Sequence, residues 1–115
     1  MDIQNWSEDI ILVQLHREPQ LKDELRTVTD IVYDRRDCDV ILDFSNVDII
    51  TSSSLSKLLK LRQLLIDCEH GLVFCSVPEL TRNAFRVTGL EGIFELVDDR
   101  LAASAVLEGV NSSQG

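Results

Sequence analysis

The stretch Val40-Ile41-Leu42-Asp43-Phe44-Ser45-Asn46-Val47-Asp48-Ile49-Ile50-Thr51-Ser52-Ser53-Ser54-Leu55 decides how this chain is read. Its first five residues form a β-branched and apolar run, too short for a helix, which reads as a central buried strand of a parallel sheet. A short loop follows that mixes Asp48 with Ile49 and Ile50. Four hydroxyl residues, Thr51 to Ser54, then stand where apolar positions begin to recur at helical spacing: Leu55, Leu58, Leu61, Leu65 and Cys68. Hydroxyl side chains before such a stripe have the chemistry of a helix start, and Lys57, Lys60 and Arg62 fall among the intervening positions. The helix is expected to end near His70 and Gly71.

Toward the N-terminus, Ile10-Ile11-Leu12-Val13-Gln14-Leu15 is a second β-branched run. The polar and aromatic residues before it can pair with it as an edge hairpin turning at Ser7-Glu8-Asp9. After Pro19, the spacing of Leu21, Leu25, Val28 and Val32 predicts an amphipathic helix. Arg35 to Asp39 has turn chemistry. Toward the C-terminus, Leu72 to Val77 reads as another buried strand, followed by a helix from Glu79 to Val87 with Pro78 in its first turn and Gly89 closing it. Phe94 to Val97 continues the alternation. A last helix from about Asp99 to Leu107 is expected to turn Leu101 and Ala105 inward and to stop at Gly109. Trp6 is read as a packing residue under the sheet, and Tyr33, off its helix's stripe, as half exposed.

This alternation places the chain in the α/β class, with a mixed, mostly parallel sheet and an antiparallel N-terminal edge. The helices are too few to cover both faces, so they are expected mainly on one. At 115 residues the chain has the size of one domain, assigned to 1–109, with 110–115 as a flexible C-terminal tail. A formal charge of −9 argues against nucleic acid and against an anionic bilayer. The polar, acidic N-terminus and the lack of a long apolar run argue against membrane insertion, for a cytoplasmic protein.

Cys38, Cys68 and Cys75 have no zinc or disulfide spacing and read as reduced thiols. Cys68 and Cys75 are expected in the core, and Cys38 at the surface in its polar turn, where a reactive thiol is conceivable. No cofactor or metal is implied. Asp43 and Asp48 are the carboxylates nearest a metal pattern, and loop carboxylates are usually only solvated. His16 and His70 lie far apart, no G-x-S-x-G elbow surrounds a serine, and no phosphate-cradling glycine loop is present, so no catalytic residue is assigned.

The strand ending in Asp43-Phe44, the loop with its apolar pair, and the hydroxyl cluster before Leu55 together resemble the STAS family, in its anti-sigma factor antagonist branch. That branch carries an apolar strand ending in Asp-Leu and then Asp-Ser-Ser/Thr-Gly-Leu-Gly at the next helix start. The similarity extends through Ala84-Phe85-Arg86-Val87-Thr88-Gly89-Leu90-Glu91-Gly92-Ile93-Phe94 and through Ala102 to Leu107. Aligned without a gap, the family's phosphorylated serine falls on Ser52, with Ser53 as second candidate.

The resemblance implies a bacterial transcription regulator that works by partner switching. The unphosphorylated protein would engage an ATP-dependent serine kinase that is also an anti-sigma factor, with catalysis residing in that partner. Thr51, Ser52, Ser53, Ser56, Lys57 and Lys60 would form the contact surface, and a weak homodimer is compatible with the fold. Three departures mark a divergent phosphosite: Thr51 replaces the family's Asp, and Ser54 and Ser56 replace its two glycines. The loop Arg17-Glu18-Pro19-Gln20 also lacks the family's usual Gly-x-Leu-Asp turn. The alternative is a constitutive scaffold or subunit of a signalling or transport complex, in which the hydroxyls only cap a helix.

Overall fold

The structure, a computed structural model, describes residues 1–112, and side chains as far as residue 108. Strands β1 (Asp2–Ser7) and β2 (Ile10–Gln14) form the N-terminal hairpin, and α1 (Gln20–Arg35), β3 (Asp39–Asp43), α2 (Ser52–Asp67), β4 (Leu72–Cys75), α3 (Glu79–Val87), β5 (Glu95–Val97) and α4 (Arg100–Ser112) follow. The five strands lie in chain order across one sheet, with β1 antiparallel to β2 and every later pair parallel. A register shift between Asn5 and Ser7 bulges the hairpin at Trp6, whose indole N–H donates to Ser104 Oγ at 2.9 Å and ties the edge strand to α4.

Alternation along the strands sorts the core into two layers. Ile11, Val13, Leu15, Val40, Leu42, Phe44 and Phe74 face α1, α2 and α3, while Ile10, Leu12, Ile41, Val73 and Cys75 face the opposite way, toward Ala103 of α4. Helices therefore lie mainly on one face, and α4 alone covers the other. The stripe predicted for α1 is fully buried at Leu21, Leu25, Val28 and Val32, and that of α2 is buried at Leu55, Leu58, Leu61 and Leu65. Replacing Leu58 or Leu65 by Ala is expected to cost about 2 to 5 kcal/mol each in a denaturant melt. Lys57→Ala on the outer side should change stability little, and the reverse ranking would mean that α2 is rotated.

Five expectations are corrected. Cys38 is not a surface thiol: it is 0 % exposed, because Cys38, Val40, Leu42 and Phe44 share one strand phase and all point into the larger core layer. Burial, partly offset by Arg35, pushes its pKa up, away from the reactive thiolate. In α4 the inward residues are Ala103 and Ser104, with Val106 and Leu107 packed beside them, whereas Leu101 is 73 % exposed and Ala105 is exposed too. That helix has apolar residues on two sides, and its anchors choose between them: Arg100 reaches Asp43, Ser104 meets Trp6, and Leu107 rests where any Cβ on Gly71 would stand 2.6 Å from its Cδ2.

The same helix does not stop at Gly109 but runs to Ser112, since a lone glycine weakens a helix without terminating it. The remainder of the expected tail, residues 113–115, lies outside the described residues. Asp43, finally, is not a solvated loop carboxylate: it is buried and accepts from Arg100 Nε at 2.7 Å and from the Ser45 N–H at 2.8 Å. Burial would raise its pKa, but the Ser45 and Arg100 hydrogen bonds outweigh burial and hold it low. Strand β4 also ends at Cys75, two residues before Val77, because Ser76 takes a left-handed φ of 55° that no strand accommodates.

Candidate functional site

Parallel strands bring their C-terminal ends to one rim of the sheet, where ligands and partners of open α/β folds generally gather. Here the loop after β2 (residues 15–19), the loop after β3 (residues 44–51) and the first turn of α3 meet at that rim. Phe44 donates its N–H to Cys75 O and Leu15 donates to Asp43 O, which extends the ladder into the loops. Thr81 of α3 is buried and donates its hydroxyl to Val47 O at 2.7 Å and to Asp48 O at 3.3 Å, pinning the middle of the β3–α2 loop. Val47 is buried beneath it, and Ile49 is left 67 % exposed.

The loop delivers the chain to α2 in an extended conformation at Thr51, which is the N-cap: its Oγ1 accepts the Ser54 N–H at 3.2 Å. Thr51 is held from a second side by Glu18, whose Oε2 accepts from the Thr51 N–H at 3.1 Å, the Thr51 hydroxyl at 2.8 Å and the Ser54 hydroxyl at 2.6 Å. Ser54 is consequently buried and committed to this network. Ser52 and Ser53, the first and second helical residues, are exposed, and among the described residues their hydroxyls have no partner. Ser56 is exposed one turn later, Lys57 is half-buried and Lys60 exposed. Helical spacing puts Ser52, Ser53, Ser56, Lys57 and Lys60 on one continuous outer face of α2, with Thr51 at its end.

Sequence reading missed the part that Glu18 plays in holding this turn. The motif's usual carboxylate is absent at position 51, yet a carboxylate stands 2.8 Å from the Thr51 hydroxyl, supplied by the neighbouring β2–α1 loop. Burial would raise the Glu18 pKa, but the hydrogen bonds from Ser54, Thr51 and the Lys22 N–H outweigh it and hold the group below its ordinary value of 4.5. A depressed carboxylate contributes stability that is present above its unfolded-state pKa and lost as pH falls through the folded one. Acid titration is therefore expected to loosen the start of α2 below about pH 4.5, read as rising amide exchange at Leu55, and Glu18→Gln should remove that acid dependence. An unchanged profile in the variant would show that Glu18 does not hold the turn.

The two histidines are occupied elsewhere: His16 Nδ1 lies 2.8 Å from Glu24 Oε2, and His70 Nδ1 lies 2.9 Å from Asp39 Oδ1. Neither reaches the serine cluster through any hydrogen bond. No helix among the described residues is long and apolar enough to cross a membrane.

A STAS domain family model matches residues 12–103. Over 69 residues the chain is 30 % identical to BtrV of Bordetella bronchiseptica, a candidate anti-sigma factor antagonist, an alignment that spans 60 % of this chain and 60 % of that protein. Among solved structures, SpoIIAA, an anti-sigma factor antagonist in its unphosphorylated form, superposes with a TM-score of 0.78 at 12 % identity, covering 94 % of this chain and 96 % of its own. The phosphorylated form of Bacillus SpoIIAA gives 0.68 at 13 % identity, over 91 % and 97 %. An anti-sigma factor antagonist (STAS) domain protein of Planctomyces limnophilus gives 0.77 at 15 % identity, over 93 % and 97 %.

Proposed function

The chain belongs to the STAS domain family, and from this we propose that it is an anti-sigma factor antagonist switched by phosphorylation at the start of α2. The observation that carries the reading is the contrast within one cluster: Thr51 and Ser54 are locked by Glu18, while Ser52 and Ser53 present free hydroxyls to solvent. In the unphosphorylated state, the outer face of α2 engages an anti-sigma factor that is also an ATP-dependent serine kinase. Exposed Ile49 and Leu80, each one residue from the Asp48–Thr81 bond, add apolar surface of the kind a protein partner desolvates.

Phosphate on Ser52 adds about −1.5 to −2 charges. At a helix start it is compatible with the fold, since the dipole and the unpaired first-turn N–H groups favour an anion. Across a docked interface the same charge must be desolvated, which releases the partner. The test incubates the protein with ATP and the serine kinases encoded in its genome, then maps phosphate by mass spectrometry. Modification at Ser52 is the expected result. Modification confined to Ser53 would move the switch by one residue, and no modification by any kinase would defeat the reading.

A constitutive scaffold within a larger complex is the second reading, and one observation favours it. The Glu18 carboxylate already occupies the mouth of α2, so a phosphate there would add like charge beside it.

A further inference from the structure

In a chain of formal charge −9, one surface gathers three cations around a single carboxylate. Between α1 and α2 runs an open cleft of about 180 Å³ lined by Arg26, Thr29, Asp30, Lys57 and Lys60. Arg35, Arg86 and Arg100 are all ion-paired. Arg26, Lys57 and Lys60 make no hydrogen bond or ion pair among the described residues, even though Asp30 shares the cleft. Three cations against one carboxylate repel each other at modest cost while solvated, and they attract an anion within about a Debye length, roughly 8 Å at physiological salt.

We propose that this cleft takes an acidic linear segment of a partner protein, whose carboxylates meet Arg26 on one wall and Lys57 and Lys60 on the other. The inference rests on the reading of this chain as a protein-binding module and extends its α2 contact across the cleft to α1. The cleft continues the α2 face that carries Ser53 and Ser56, so one partner can span both. Its walls decide the kind of anion. They are formed by interior turns of two helices whose backbone N–H groups are used within the helices, so no cradle of free N–H groups exists for a phosphate. Cations spread over two helices match carboxylates spread along a peptide instead.

The experiment titrates the isotope-labelled full chain with an octaglutamate peptide and follows amide shifts by NMR. Saturable shifts should group at Arg26, Thr29, Asp30, Lys57 and Lys60, weaken with added salt, and require about tenfold or more peptide in the Lys57→Glu, Lys60→Glu double variant. Arg26→Ala, on the other wall, should weaken binding as well, and melting curves establish that each variant is folded. Shifts spread equally over Arg17, Arg62 and Arg82, no shifts at all, or unchanged binding by the folded variants would each overturn the proposal. So would tighter binding of inorganic pyrophosphate at the same amides, which would make this a phosphate site. No kinase or ATP enters the titration, so it can fail while Ser52 is phosphorylated, and succeed while Ser52 is not.

Discussion

Phe74→Ala should be among the most damaging single substitutions in this protein, costing about 3 to 5 kcal/mol of stability. Phe74 lies in β4, between β3 and β5, and is completely buried. Its ring centroid is 4.7 Å from that of Phe44, 4.7 Å from that of Phe94 and 5.8 Å from that of Phe85. All four phenylalanines of the chain therefore meet there. Truncation removes the ring at the centre of that cluster and leaves a void that rings held by three separate elements cannot close, and tilted aromatic pairs each add about 0.5 to 1.5 kcal/mol beyond area. Against the 5 to 15 kcal/mol typical of a whole domain, the loss is roughly a fifth or more. A urea titration should show a large fall in midpoint with little change in slope. A loss under about 1 kcal/mol would mean that the rings do not pack as a cluster.

Ser52→Asp is expected to leave the melting transition nearly unchanged and to weaken binding to the cognate kinase by about 30-fold or more, the equivalent of about 2 kcal/mol for an uncompensated charge in an interface. Stability is spared because the helix is capped by Thr51, so position 52 contributes no capping bond, and a carboxylate in the first turn suits the dipole. Ser52→Ala should fold and bind like the parent while resisting phosphorylation. Removal of the cap belongs to Thr51→Ala, which should cost about 0.5 to 2 kcal/mol and also deprives Glu18 of the Thr51 hydroxyl. Calorimetry of binding beside thermal melts separates the effects. If Ser52→Asp binds as tightly as the parent, the site is not a charge switch, and if Ser52→Ala melts far lower, Ser52 has a structural role that its exposure does not suggest.

Much of the architecture was legible because local chemistry and tertiary packing agree. The apolar run from Val40 read as a strand buried on both faces, the period of Leu55, Leu58, Leu61 and Leu65 as a helix stripe, and the hydroxyls before it as the start of that helix. Ser52, Ser53 and Ser56 are exposed, as a contact surface requires, whereas Ser54 in the same first turn is buried against Glu18. Cys38 was within reach too: it shares the strand phase of Val40, Leu42 and Phe44, but the polar residues around it drew the reading toward a surface turn.

What the tertiary structure alone decided has a common cause: each case depends on an interaction between residues far apart in the chain. Leu101 and Ala105 offer α4 an apolar side as credible as that of Ala103 and Leu107, and only Asp43, Trp6 and Gly71, brought together by the sheet, select between them. Asp43 looks like any loop carboxylate until Arg100, 57 residues later, reaches it. Glu18 and the hydroxyl of Ser54 are 36 residues apart, and parallel pairing of β2 with β3 is what sets their loops side by side. Periodicity records which face of an element is apolar. It carries no record of which distant polar group will complete a hydrogen bond, and the restraint on the candidate switch is made of such bonds.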